Sequence, residues 1–93
     1  MKIWVLSDHW CILAVEVSRD AQRTQIKEAA VIRRWGTNAG LGQLAREGLR
    51  EETILDAQPD GEINNDAITF ILDCDPIWTP EYIAAHYVAE AMN

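Results

Sequence analysis

Cysteine is scarce: Cys11 and Cys74 are the only two in 93 residues. Two thiols cannot build the disulfide framework that holds small secreted domains together. Both lie in apolar runs, Trp10-Cys11-Ile12-Leu13 and Phe70-Ile71-Leu72-Asp73-Cys74. There a free thiol serves as a small hydrophobe, and the expected setting is a reducing cytoplasm. Long apolar runs are missing as well. No stretch approaches the roughly 18–20 residues of a membrane helix. The opening Met1-Lys2-Ile3-Trp4-Val5-Leu6-Ser7-Asp8 reaches an aspartate too soon for a secretory leader. Histidine is confined to His9 and His86, whose spacing from the cysteines fits no zinc signature. Base is short too: 8 Lys and Arg stand against 15 Asp and Glu, a net charge of −7. That balance disfavours direct binding to nucleic acid phosphates.

The length accommodates a single domain, residues 1–93. A hydrophobic content of 48% supplies a small core. The charge is segregated along the chain. Residues 1–46 carry seven bases and four acids; residues 47–93 carry Arg50 and eleven acids. Solubility alone would explain an acidic surplus. The sharper alternative is a negative face that docks on a basic partner.

Period-2 patterning predicts strands over 2–6 and 11–17. Residues 24–35 read as a third strand, on Val31-Ile32 and the flanking Thr24 and Trp35. Their first half also has helix composition, which Asp20 would cap. Residues 36–48 hold four of the five glycines. Asn38 is the expected cap of a short helix over 39–47, with Leu41, Leu44 and Ala45 on one face. Gly48 is expected in left-handed geometry at its end, with Leu49 folding back on Leu44. Gly40 and Gly42 suit a close approach to a sheet or to the Trp35 ring. Thr53-Ile54-Leu55 suits a short strand or a helical turn. Gln58-Pro59-Asp60-Gly61 and Asn64-Asn65-Asp66 read as turns. The apolar run 67–73 is the clearest strand. Thr79-Pro80-Glu81 opens a helix running to about Ala91. Ala84, Tyr87, Val88 and Ala91 form its expected apolar stripe, with His86, Glu90 and Asn93 opposite. Together these elements predict an α+β fold. It is a small antiparallel sheet, open or curled toward a barrel, with a short inner helix and a C-terminal amphipathic helix. The last helix packs on the sheet or forms a homodimer seam.

No segment matches a nucleotide-binding loop, because the glycine run lacks the required lysine. Asp56-x-Gln58-x-Asp60-Gly61 resembles the opening of a calcium loop. Its twelfth position is Ala67, where a bidentate glutamate belongs, and Pro59 interrupts it. No nucleophile–base pairing stands out, so neither an enzyme nor a cofactor is expected. Four tryptophans remain to be explained. Trp10, at a hairpin tip beside His9, is the expected exposed aromatic. Trp35 follows Arg33-Arg34 and suits either a core anchor packed on the short helix, with the arginines pairing acids from the other half, or a contact hot spot, since Trp and Arg dominate such sites. Trp78 should staple the last helix by packing toward Tyr82.

The segment Ile32-Arg33-Arg34-Trp35-Gly36-Thr37-Asn38-Ala39-Gly40-Leu41-Gly42-Gln43-Leu44-Ala45-Arg46-Glu47-Gly48 resembles a pattern in small proteins of tailed bacteriophages and prophages that have no assigned activity. There an Arg-Arg-aromatic run and a glycine turn lead into a Leu-x-Gln-Leu-Ala helix ending in glycine. The similarity covers roughly residues 3–73. It implies a mobile-element origin, a compact sheet with one short helix, and residence in the host cytoplasm. It brings no catalytic residue. Small acidic phage proteins are often inhibitors of a host or defence protein, such as a CRISPR effector complex. The expected function is therefore an inhibitor of that kind. Trp10, Arg33, Arg34 and Trp35, together with Asp56, Asp60, Glu62 and Asp66, are the expected contact residues. The alternatives are a virion structural or assembly component, or a nucleic-acid-binding module built on Arg33-Arg34-Trp35.

Overall fold

The computed structural model describes residues 1–91, with side chains through Val88. The expected roles of Glu90, Ala91 and Asn93 on the two faces of the last helix lie outside the described side chains. The chain forms an α+β fold. Its elements are β1 (Lys2–Leu6), β2 (Cys11–Arg19), β3 (Arg23–Arg34), α1 (Leu41–Glu47), β4 (Ile54–Ala57), β5 (Gly61–Asn64), β6 (Ile68–Asp73) and α2 (Pro80–Ala91). A single 3-10 turn, Asn65–Ala67, links β5 to β6. All pairings are antiparallel, in the order β4-β3-β2-β1-β6, with β5 also on β3. The sheet does not close into a barrel, so β6 and the β4–β5 side remain its outer strands.

The ambiguous segment resolves as a 12-residue strand. Its helix-forming half is held by ladders on both sides, to β2 and to β5, which outweigh a weak local preference. β5 is not expected from the sequence, where only the turns on either side of it stand out. It is short, and Gly61 and Asn64 are poor strand formers. Yet it continues β4 in the same register against β3: Ala30 faces Ala57 and Ile26 faces Gly61. β4 and β5 are thus one strand opened at 58–60, and the Gln58 N–H bridges the gap to the Ala29 carbonyl at 2.8 Å.

Opposite that gap, β3 is irregular. The register shifts between Leu13 and Val15, and again between Glu16 and Ser18. Glu28 sits at φ 52°. Extra residues of this kind bend a strand and add twist. The long β2–β3 hairpin accordingly curls back over the sheet. Its tip is fastened there: the Asn65 N–H and Nδ2 donate to the carbonyls of Gln22 and Asp20, both at 2.9 Å. Thr24 Oγ1 bonds Asn65 Oδ1 at 2.6 Å. Two residues on, the Ala67 carbonyl accepts from the Ser7 N–H at 2.8 Å, beyond the end of β1.

The curl gives the sheet two cores. On one face, Ile3, Leu13, Ala30, Ile32 and Leu55 meet Leu44 and Ala45 of α1, and Trp78 and Ile83 at and within α2. On the other, Trp4 is enclosed by Ala14, Ile26, Ala29 and Ile63. Trp78 packs edge-on to Tyr82, with centroids 5.5 Å apart, and its indole N–H donates to the Ala45 carbonyl at 3.1 Å.

Helix boundaries need three corrections. First, α1 begins at Leu41, with Gly40 rather than Asn38 at the cap position and no side-chain cap. Gln43 instead reaches back to the Ala39 N–H at 2.7 Å. Gly40, at φ 79° and ψ −157°, occupies a backbone region essentially reserved for glycine. Second, Gly48 does end the helix, its N–H bonding the Leu44 carbonyl at 2.9 Å. Its φ is positive as expected, but at ψ −174° it lies in the same glycine-only region as Gly40 instead of the left-handed helical one. Tyr82 is the reason: its hydroxyl packs against Gly48 and accepts the Leu49 N–H at 2.8 Å. Third, α2 is capped as expected, Thr79 Oγ1 accepting the Tyr82 N–H at 3.1 Å, but its inward face is rotated. Ile83 is buried and Tyr87 half-buried, whereas Ala84 and Val88 face outward. His86, expected on the solvated stripe, is half-buried with Nε2 2.9 Å from the Thr53 carbonyl.

Candidate interaction surface

One end of the sheet gathers the two exposed tryptophans, Trp10 and Trp35. The β1–β2 connection is tight. The Leu6 N–H bonds the Trp10 carbonyl at 2.8 Å, the His9 N–H bonds the Leu6 carbonyl at 2.9 Å, and the Trp10 N–H reaches Asp8 Oδ1 at 3.2 Å. His9 takes φ 71° to make the turn, a conformation His tolerates better than most residues. The turn leaves Trp10 52% exposed.

Trp35 leaves the end of β3 at the same end of the sheet. It is 44% exposed, so it is not a core anchor. Its carbonyl accepts from Thr53 Oγ1 at 2.7 Å, and that hydroxyl in turn accepts the Arg50 N–H at 3.0 Å. The ring lies beside Gly40, where a Cβ would stand in ordinary contact at 3.4 Å. Burial pushes the Cys11 thiol up, an effect the Trp35 side chain partly offsets, and Cys11 Sγ lies 3.9 Å from the His9 carbonyl. Between the turn and the end of β3 lies a groove of about 280 Å³, lined by residues including His9, Trp10, Cys11, Val31, Arg33 and Asp56.

Arg33 and Arg34 pair with acids from the other half, as one reading of the segment expects. Arg33 grips Asp56 with two bonds, Nε to Oδ2 at 2.9 Å and Nη2 to Oδ1 at 3.1 Å. Arg34 meets Glu52 at 3.3 Å. Arg23 meets Glu62 at 3.7 Å, where Gln25 Nε2 also donates at 3.4 Å. All three pairs join the base-rich half to the acid-rich half, because β3 lies beside β4 and β5. Each is exposed and contributes about 0–1 kcal/mol.

Of the eight expected contact residues, Trp10, Arg33 and Asp56 share the groove, and Arg34 and Trp35 follow Arg33 in the chain at the end of β3. The other three lie elsewhere. Asp60 borders a separate hollow of about 300 Å³ beside Glu28, Ile83 and Tyr87. Glu62 lies on β5, and Asp66 on the 3-10 turn with its N–H bonded to Asn64 Oδ1 at 3.1 Å. The acids therefore do not gather at the aromatic end. His9, Val31 and Thr53 also build this end and were missed, since a turn residue, a strand residue and a buried hydroxyl carry no functional signal in sequence.

The groove's chemistry suits contact more than bond-making. Its thiol is held toward the neutral form, and thiolate is the reactive species. Among the described residues no group of three His, Cys, Asp or Glu could hold a metal ion. The second thiol, Cys74, is pushed up to about 11 by burial, from an ordinary value of 9.0. Folding thus favours its neutral form. That contribution to stability is complete below about pH 9 and fades as pH rises toward 11. Chemical denaturation at pH 8, 9.5 and 11 should show a loss that Cys74→Ala reduces. An equal alkaline loss in that variant would exclude the thiol as its source.

In comparisons with known proteins, no family model matches this chain, and no curated protein or solved structure matches it.

Proposed function

We propose that the chain is a non-enzymatic interaction protein that binds and inhibits another protein through the aromatic end of its sheet. In the setting implied by the phage-like segment 32–48, the target is a host or defence protein in the bacterial cytoplasm. The observation that carries this reading is the pair of half-exposed tryptophans, Trp10 and Trp35, held by tight backbone bonding beside Arg33. Rigid aromatics with a neighbouring arginine carry most of the energy at protein contacts. The ion pairs favour aromatic contact over imitation of nucleic acid charge, because Asp56 and Glu62 already have arginine partners. The net charge of −7 weighs against the nucleic-acid-binding alternative.

Affinity capture from bacterial lysate, read by mass spectrometry, tests the proposal with Trp10→Ala and Trp35→Ala alongside the native chain. A specific target should be recovered by the native chain and depleted about 30-fold by either variant, the consequence of losing about 2 kcal/mol. Both variants should melt close to the native chain, because the side chains removed are half-exposed. Equal recovery by all three chains would sink the proposal. Co-purification with virions instead would favour an assembly component.

A further inference from the structure

We infer that His86 of α2 is a positioning residue for Trp35 and acts through Thr53. Trp35 needs support from outside the sheet. Among the described residues, the β2 ladder on β3 ends at Val31 and the β4 ladder at Arg34. Trp35 stands past both, and Gly36 after it takes φ 72°. A residue between the end of a strand and a glycine can swing unless something else holds its backbone. Trp10 differs, because its own turn fixes it from both sides. Its N–H reaches Asp8 Oδ1 and its carbonyl accepts the Leu6 N–H.

The hold on Trp35 comes from Thr53, which is fully buried. A threonine hydroxyl has one proton to give. The Arg50 N–H donates to Thr53 Oγ1, and that oxygen gives its own proton to the Trp35 carbonyl. With β3 fixing one side of Trp35 and this bond the other, the direction of the indole is set. Thr53 itself also lies past the ladder, whose last pair is Arg34 with Ile54. Its anchor is α2: His86 Nε2 lies 2.9 Å from the Thr53 carbonyl. A carbonyl only accepts, so Nε2 carries the hydrogen. Thr53 thus has its hydroxyl committed to Trp35 and its carbonyl to the helix. It is a stiff, β-branched residue, so a shift at one group is passed to the other. The value of this tether for binding rests on the proposed role of Trp35 as a contact residue.

Fluorine NMR of the full chain carrying fluorinated tryptophan tests this, with the two exposed signals assigned by Trp10→Phe and Trp35→Phe. In His86→Leu, which removes the donor, the Trp35 signal should move toward that of the free amino acid. The Trp10 signal should stay in place. His86→Gln keeps an N–H donor and should restore the native position. Thr53→Val should repeat the shift, and Thr53→Ser should not. An unmoved Trp35 signal in His86→Leu overturns the inference. So does an equal shift of both exposed tryptophans, which is general loosening, or a failure of His86→Gln to restore the signal. His86 is half-buried, so its variants decide the matter even where Thr53→Val does not fold. In capture from lysate, His86→Leu should lower target recovery about fivefold, although His86 is not among the residues that line the groove. A moved Trp35 signal with undiminished recovery would sink the contact role of Trp35 and leave the tether standing.

Discussion

Trp4→Ala is expected to lower the unfolding free energy by about 4 kcal/mol, the usual cost of deleting a buried Trp. A chain of this length has roughly 5–14 kcal/mol in total. Its melting temperature should fall by about 15–30 °C. The indole is fully buried at the centre of the smaller core, where the bent hairpin brings Ile26 and Ile63 over it. Without it the curled half of the sheet has little to close on. One feature of the site separates volume from polarity. Among the described residues, Trp4 Nε1 has no hydrogen-bond acceptor. A buried donor without an acceptor costs about 1–3 kcal/mol. Trp4→Phe removes that donor and keeps most of the ring, so its loss should be well under half that of Trp4→Ala. Thermal and urea melts of both variants check this. Equal losses would mean that the indole N–H contributes a favourable bond.

Gly36→Ala should be the next most damaging change, lowering stability by about 3 kcal/mol and the melting temperature by about 12–24 °C. Gly36 sits at φ 72° just after Trp35. A Cβ there would stand 2.6 Å from the Glu52 carbonyl carbon, and closer to Thr53 N. These are backbone atoms and cannot swing aside as a side-chain tip would. About 1 kcal/mol comes from the left-handed backbone, and the remainder from pushing two chain segments apart. The second segment carries the Thr53 hydroxyl that holds Trp35, so binding should weaken along with stability. Circular dichroism melts check the first effect. A fall of less than about 4 °C would show that the two segments separate at little cost.

What could be read from sequence follows from how local each signal is. β1, β2, β6 and α2 declare themselves through alternation, β-branched runs, and the Thr79-Pro80 start. Each depends only on neighbours in the chain. The turn that exposes Trp10 was legible for the same reason. β5 was not, because Gly61-Glu62-Ile63-Asn64 has little strand preference and forms only against an already placed β3. The rotated face of α2 was also hidden. Ile83 and Val88 are similar in sequence, and only the angle at which Trp78 and Tyr82 dock the helix decides which one turns inward.

The charge layout shows the same division most sharply. The sequence alone determined a surplus of acid, the scarcity of thiols and bases, the class of fold and the tryptophan-rich composition. It also divided the charge into a basic first half and an acidic second half. Only the tertiary structure decided that this division does not persist in space. Antiparallel pairing lays the arginine-bearing β3 directly beside β4 and β5, so Arg23, Arg33 and Arg34 each meet an acid from the other half. Residues 18 to 39 positions apart in the chain become neighbours because strands pair by backbone hydrogen bonds and core burial, which fix the register whatever the charges prefer.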